Sequence, residues 1–275
     1  MTDKIEKIDQ ALVHHGKFSD RLYILKFPVD AKSGLVKAII ERSIENGYTK
    51  IVGKVPKIKL PLFLRNGFKM EAAIPRFYNG LGDCCFVSRF LDLNRAVFDP
   101  KPMEAFNQVL DNYHFSNSDK DQHNFDLQEL SINHADRVAE VYRQVFDTYP
   151  FPIHDPDYIR HTMKNDVLYF GVFIDNKLCS ISSAEMDVEN QNAEMTDFAV
   201  LDQARGKGLS KILLRYMEEE MKNKNIKTLY TIARLNSIPM NKAFLGAGYS
   251  YAGTLVNNTN ISGGIESMNV LYKYI

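Results

Sequence analysis

No stretch of this chain approaches the ~20 consecutive apolar residues a membrane-crossing helix needs, and the polar start Met1-Thr-Asp-Lys is no secretory signal. Charge of one sign is missing as well, since 34 basic residues balance 34 acidic ones. Without a basic excess there is no reason to expect nucleic acid or an anionic membrane as partner. Cysteine is scarce. Cys84, Cys85 and Cys179 cannot all pair and have no metal-ligand spacing, so they read as reduced structural thiols. The seven histidines are scattered, and His14-His15 are too close in sequence to share a helix face, so no metal site is assigned. Cytoplasmic residence is the expectation these absences leave.

The most informative stretch runs from Glu194 to Ser210. A strand-like segment ends in the basic turn Gln203-Ala-Arg205-Gly206-Lys207-Gly208, and an amphipathic helix follows at once. Two glycines spaced Gly-x-Gly let successive backbone N–H groups converge on one point. The helix adds its unpaired first-turn N–H groups and the positive end of its dipole, so the turn suits a phosphate or pyrophosphate. Arg205, Lys207 and Lys211 surround it with charge. A Walker loop and a dinucleotide fingerprint both fail, because the first spacing is absent and position 211 is Lys where the second needs Gly. Leu209, Ile212, Leu213, Tyr216, Met217 and Met221 recur at helical spacing and form one apolar face behind the loop. The pattern Gln203-x-x-Gly206-x-Gly208 resembles the pyrophosphate loop of the GNAT acetyltransferases, which bind acetyl-CoA there.

From Phe125 onward the coarse reading is a mixed-sheet α/β domain. Phe125–Leu130 reads as a strand, and Asn133 can cap a helix with Val138, Val141, Tyr142, Val145 and Phe146 on one face. Tyr149-Pro-Phe-Pro-Ile153 must be irregular. A short helix over 157–164, strands over 167–174, 178–186 and 193–200, the loop and its helix, a strand over 228–233, a short helix over 239–245 and two final strands complete the order. That order is similar to the GNAT fold. Residues 1–95 hold an internal repeat. Gly34-Leu-Val-Lys-Ala-Ile-Ile-Glu parallels Gly208-Leu-Ser-Lys-Ile-Leu-Leu-Arg, and Phe63-Leu-Arg-Asn-Gly67-Phe68 parallels Phe244-Leu-Gly-Ala-Gly248-Tyr249. The first copy has Asp30-Ala-Lys-Ser where the second has its glycine loop, so it reads as a degenerate GNAT-like half without a CoA loop, although chance likeness of short helices gives the same pattern. Such a half could complete a sheet, cover the active site or mediate a homodimer. Residues 96–124 read as a helix opened by Asp99-Pro-Lys-Pro and a polar linker over 116–124, and 125–275 as the catalytic domain.

Acetyl transfer to an amine needs a base, a donor for the tetrahedral oxyanion and departure of the thiolate. Glu194 occupies the position where GNAT enzymes often carry a base on the strand before the loop, with Asp197 second; a structural hydrogen bond or salt bridge is the other reading of Glu194. Strand alternation would put Glu194, Thr196, Phe198 and Val200 on one face and Asp197 on the other, unless a bulge intervenes. Glu185 on the preceding strand is a further carboxylate for the amine. The resemblance implies cofactor contacts from Phe198, Ala199, Val200, Gln203, Arg205, Gly206, Lys207, Gly208, Leu209 and Ser210, with the oxyanion donor a backbone N–H near Phe198 or Ala199. Asn236 matches a GNAT position that contacts the pantetheine arm, or else caps a helix. Phe244 departs from the family, which often has a proton-donating Tyr there; Tyr249, Ser237 and Tyr251 are the nearby hydroxyls.

A second resemblance runs nearly end to end. His15-Gly-Lys-Phe-Ser-Asp-Arg21, Arg76-Phe-Tyr-Asn-Gly80, Thr148-Tyr-Pro-Phe-Pro-Ile153, Glu194-Met-Thr-Asp-Phe198, Tyr230-Thr-Ile-Ala-Arg234, Val256-Asn-Asn-Thr259 and Glu266-Ser-Met-Asn269 are similar to segments of the β-lysine N-acetyltransferases. The resemblance implies acetylation of the terminal amine of β-lysine, a small diamino acid, giving a compatible solute or a catabolic intermediate. Such a substrate needs carboxylates for its ammonium groups and a cation for its carboxylate. Glu194, Asp197, Glu185 and Glu266 can supply the first and Arg234 or Arg76 the second. Tyr78, Asn79, Asn257 and Asn258 could add hydrogen bonds, and Tyr149 and Phe151 a wall for the aliphatic chain. Another primary amine as acceptor, or a CoA-binding regulatory protein without turnover, are the rival readings.

Overall fold

The computed structural model describes residues 3–112, 125–165 and 167–275; the expected linker over 116–124 lies outside them. The first run contains β1 (Lys4–Ile8), β2 (Ala11–Gly16), β3 (Arg21–Lys26), α1 (Gly34–Glu45), β4 (Lys50–Pro56), α2 (Leu60–Arg65), β5 (Lys69–Tyr78) and β6 (Gly82–Phe90). After α3 (Lys101–Asn112) come β7 (Asp126–Leu130), α4 (Ala135–Val145), α5 (Pro156–Met163), β8 (Val167–Ile174), β9 (Lys177–Asp187) and β10 (Asn192–Val200). The chain ends with α6 (Leu209–Asn223), β11 (Thr228–Arg234), α7 (Ile238–Gly246), β12 (Ser250–Ile261) and β13 (Gly264–Tyr274). From β7 on this is the β-α-α-β-β-β-α-β-α-β-β order expected of the GNAT fold. One correction concerns α4. His134, not Asn133, is its N-cap; the 3₁₀ turn Ile132–His134 that leads into it is closed by a reciprocal cap between Ser131 and His134.

Among the described residues, all the strands share one 13-stranded sheet in the order β1-β2-β3-β4-β6-β5-β12-β13-β11-β10-β9-β8-β7. Counted outward from the β5–β12 contact, the first six strands on each side correspond, and β7 is an added edge strand of the second half. β3 runs parallel to β4, and β4 and β5 flank β6; likewise β10 runs parallel to β11, and β11 and β12 flank β13. The likeness of topology therefore extends to β1–β3, beyond the segments in which the sequence repeat is visible.

Four apolar clusters hold this sheet. One lies under α1 and α2 and is built on Leu22, Ile39, Ile51 and Phe63. Another lies under α6 and α7, where Phe106 of α3 also inserts. A third lies under α4 and α5. The fourth belongs to both halves, with Tyr23, Phe77 and Phe86 meeting Tyr230, Leu255 and Met268. The β5–β12 ladder itself contributes one registered pair, Gly253 with Ala72. Buried side chains of this size contribute about 1.5–3 kcal/mol each, so the shared core outweighs the ladder as the bond between halves. Gly253 has to be glycine: a Cβ there would lie 2.1 Å from the Glu71 carbonyl oxygen. Among the described residues no helix is long and apolar enough to cross a membrane.

Candidate active site

β10 and β11 pair only from Asn192–Thr228 to Glu194–Tyr230. Beyond that point β11 stays with β13, and β10 stays with β9. A gap therefore opens between Met195–Val200 and Thr231–Arg234. At its end Gly206 and Gly208 take φ values of +81° and +69° around Lys207. A Cβ at either would meet nothing within 4 Å, so the left-handed backbone alone calls for glycine here. Gly208 is the N-cap of α6, whose first N–H groups point at the loop. Gln203, Arg205 and Lys207 are exposed beside them, Arg205 in a 2.8 Å ion pair with Asp202, and Ser210 is half-buried. Leu209 is buried and anchors the helix start. Asn236 is exposed just past the end of β11, and Ser237, not Asn236, is the N-cap of α7.

Below the gap lies a cavity of about 440 Å³ whose lining includes Glu185, Glu194, Thr196, Asp197, Tyr149 and Phe151. Thr196 and Asp197 on β10 and Ile232 on β11 line it, so the gap opens into it. The expected facing of Asp197 is corrected by a bulge. The β9–β10 register shifts between Thr196 and Ala199, and Asp197 takes φ +57°, a left-handed conformation an Asp tolerates. The extra residue turns Asp197 to the side of Glu194 and Thr196. It sends Phe198 the other way, edge-on to Phe244 at 5.5 Å.

Glu194 and Glu185 are direct cross-strand partners, an arrangement of like charges that costs stability in a sheet. Enclosure by protein raises the pKa of Glu194, and the nearby Lys54 cation and a hydrogen bond from Tyr230 oppose it. Lys54 Nζ donates to Tyr230 Oη at 2.6 Å. Asp197 is raised by burial, against hydroxyl bonds from Ser183 (2.6 Å), Tyr149 and Thr196 (3.2 Å). Glu185 is the most open to cavity solvent, yet enclosure and the charges of Glu194 and Asp197 raise it too. Three carboxylates thus share one cavity, biased toward holding protons or cations.

Several expected substrate residues lie elsewhere. Arg234 and Glu266 satisfy one another in a two-pronged pair at 3.0 and 2.6 Å. Asn257 is part of the seam between halves: its Nδ2 donates to the carbonyls of Arg95 (2.9 Å) and Val97 (2.7 Å), and its own carbonyl accepts from Arg95 Nε (2.7 Å). Tyr78 lines a second cavity, of about 830 Å³, beside the ends of β3 and β4, while the Asn79 N–H is bonded to the Asn190 carbonyl. Arg76 stacks on Tyr274, 4.0 Å from its ring centre. Of the hydroxyls near Phe244, Tyr249 is buried against that ring, Tyr251 bonds Thr254 at 2.6 Å, and none of the three lines the 440 Å³ cavity.

The first half supplies residues that sequence reasoning left without a role. Arg21, Tyr23, Leu25 and Lys54 line the same cavity as the carboxylates, Lys54 near enough to Glu194 and Glu185 for its charge to act on both. Arg21 opens a strand whose next four residues, Leu22 to Leu25, are apolar or aromatic, the one local sign that its charge is enclosed. Cys84, Cys85 and Cys179 are buried free thiols.

The profile of the Acetyltransferase (GNAT) family matches residues 136–248, which span α4 through α7. A β-lysine N(6)-acetyltransferase of Methanococcus maripaludis is 38% identical over 276 aligned residues, covering 98% of each chain. The chain belongs to the GNAT acetyltransferases. The N-acetyltransferase YodP of Bacillus subtilis is 29% identical over 96% of both chains. A β-lysine N(6)-acetyltransferase of Methanosarcina mazei is 43% identical over half of each. The first two likenesses span both halves of the sheet, so this GNAT protein shares its additional half with full-length relatives.

Proposed function

We propose that the protein moves the acetyl group of acetyl-CoA to the terminal amine of β-lysine, by direct attack in a ternary complex. The observation that carries this reading is the three-carboxylate cavity opening into the gap above the glycine loop, in a chain similar end to end to a β-lysine N(6)-acetyltransferase. Gly206, Gly208 and the start of α6 hold the diphosphate, and the pantetheine arm follows the gap past Asn236. Glu194 takes a proton from the substrate ammonium, directly or through one water, and Asp197 holds the amine in line. The freed nitrogen bonds to the thioester carbon, and the oxyanion is met by a backbone N–H at the bulge, near Phe198 or Ala199. The C–S bond then breaks, the second amine proton passes to solvent, and CoA departs as thiolate without a tyrosine at position 244. Residues 1–95 act as a degenerate half that closes the acceptor cavity.

The test is CoA release by the purified protein with acetyl-CoA and a panel of amines. Turnover should be highest with β-lysine and much poorer with α-lysine or a polyamine. Tight acetyl-CoA binding with no turnover of β-lysine would remove the substrate assignment and leave a CoA-binding protein or another acceptor.

A further inference from the structure

Arg21 stands out among the buried charges. It is 3% exposed and lines the cavity, yet among the described residues it makes no ion pair. Nη1 donates to the Asn258 carbonyl at 2.9 Å, its guanidinium lies 5.1 Å from the centre of the Tyr23 ring, and its Nε–H is buried without a partner. Enclosure lowers its pKa to about 10, so the group remains a cation at neutral pH. A buried guanidinium with unused donors is costly unless a ligand completes it. Asn258 adds the opposite chemistry. It also lines the cavity, and its side-chain Oδ1 is buried with no donor.

The other cavity cations are already engaged. Lys54 is tied to Tyr230 beside Glu194, and Lys26 is 63% exposed at the rim, 3.6 Å from Asp187. We infer that Arg21 and Asn258 form the subsite for the acid end of the acceptor, with Arg21 gripping a carboxylate and Asn258 Oδ1 accepting from the neighbouring ammonium. A β-amino acid carries these two groups in adjacent reach. The planar fork of Arg21 matches a carboxylate. Anchoring this end on the first half leaves the chain's far amine to the carboxylates below the gap. The inference rests on the proposed β-lysine reading and names the residues that set its specificity.

The test compares β-lysine with 1,4-diaminopentane, the same chain without its carboxyl group. The wild-type protein should favour β-lysine through KM. Arg21→Met should raise KM for β-lysine by about 30-fold or more and leave the diamine unchanged, erasing the preference. Arg21→Lys keeps a charge without the fork, and it decides the matter if the methionine variant fails to fold; it should raise KM for β-lysine alone, by about tenfold. Equal wild-type KM values for both amines, or a folded Arg21 variant with its preference intact, overturn the subsite while leaving β-lysine acetylation standing. No turnover of β-lysine by the wild type overturns the functional reading itself.

Discussion

The two halves of this sheet share a topology and differ in what they bring to the cavity between them. The second half has a bulged strand with two carboxylates, a glycine loop and a helix capped by left-handed Gly208. The first has Arg21 and Lys54 at the cavity wall, and its helix α1 follows Ser33 in ordinary right-handed backbone with no glycine nest. One half is acidic toward the cavity and fitted for an anion at its loop; the other is basic toward the cavity and has no loop site. The two halves thus set basic and acidic side chains around one cavity, which is what the proposed zwitterionic acceptor requires. A single half would leave its polar cavity face open to water.

The largest effect should come from the acidic wall. Glu194→Gln should lower kcat by about 10²–10⁴-fold, the usual contribution of a positioned base. The sign with pH follows from the raised carboxylate. The wild-type rate should climb as pH rises through the elevated Glu194 pKa, because only the deprotonated form accepts a proton. The variant must await a substrate amine that has lost its proton unaided, so its rate should keep climbing to higher pH. An unchanged pH–rate profile removes Glu194 as base.

Next come the paired helix starts. Gly208→Val forces a β-branched residue into φ +69°, and it should raise KM for acetyl-CoA by up to about 100-fold. Gly34→Ala, at the matching start of α1, meets nothing within 4 Å and should leave acetyl-CoA binding unchanged. Comparable losses in both would mean that the first half also holds cofactor. The seam is tested by Gly253→Ala, whose Cβ would strike the Glu71 carbonyl. A loss of about 1–3 kcal/mol in urea unfolding is expected, with KM for acetyl-CoA preserved in the folded fraction.

The glycine loop and the order of elements were legible in the sequence because local backbone demands and side-chain periodicity determine them. Gly206 and Gly208 announce a conformation that few other residues adopt, and the apolar stripe of α6 announces its buried face. The bulge was not legible, since Asp197 enters left-handed backbone without a glycine to mark it. Nor were the partners of charged groups. Arg234 reads equally well as substrate ligand or ion pair until β11 and β13 bring Glu266 beside it. Asn257 looked available until the seam placed Arg95 against it. Arg21 was visible only as part of a shared segment, because its place in the cavity depends on Asn258, 237 residues away.

The central claim is that the acceptor lies across both halves, acid end on the first and terminal amine under the cofactor gap. Product analysis by NMR after complete turnover of β-lysine with acetyl-CoA tests it directly. The account predicts a single product acetylated on the terminal N6; acetylation at the amine next to the carboxyl-bearing end would contradict it.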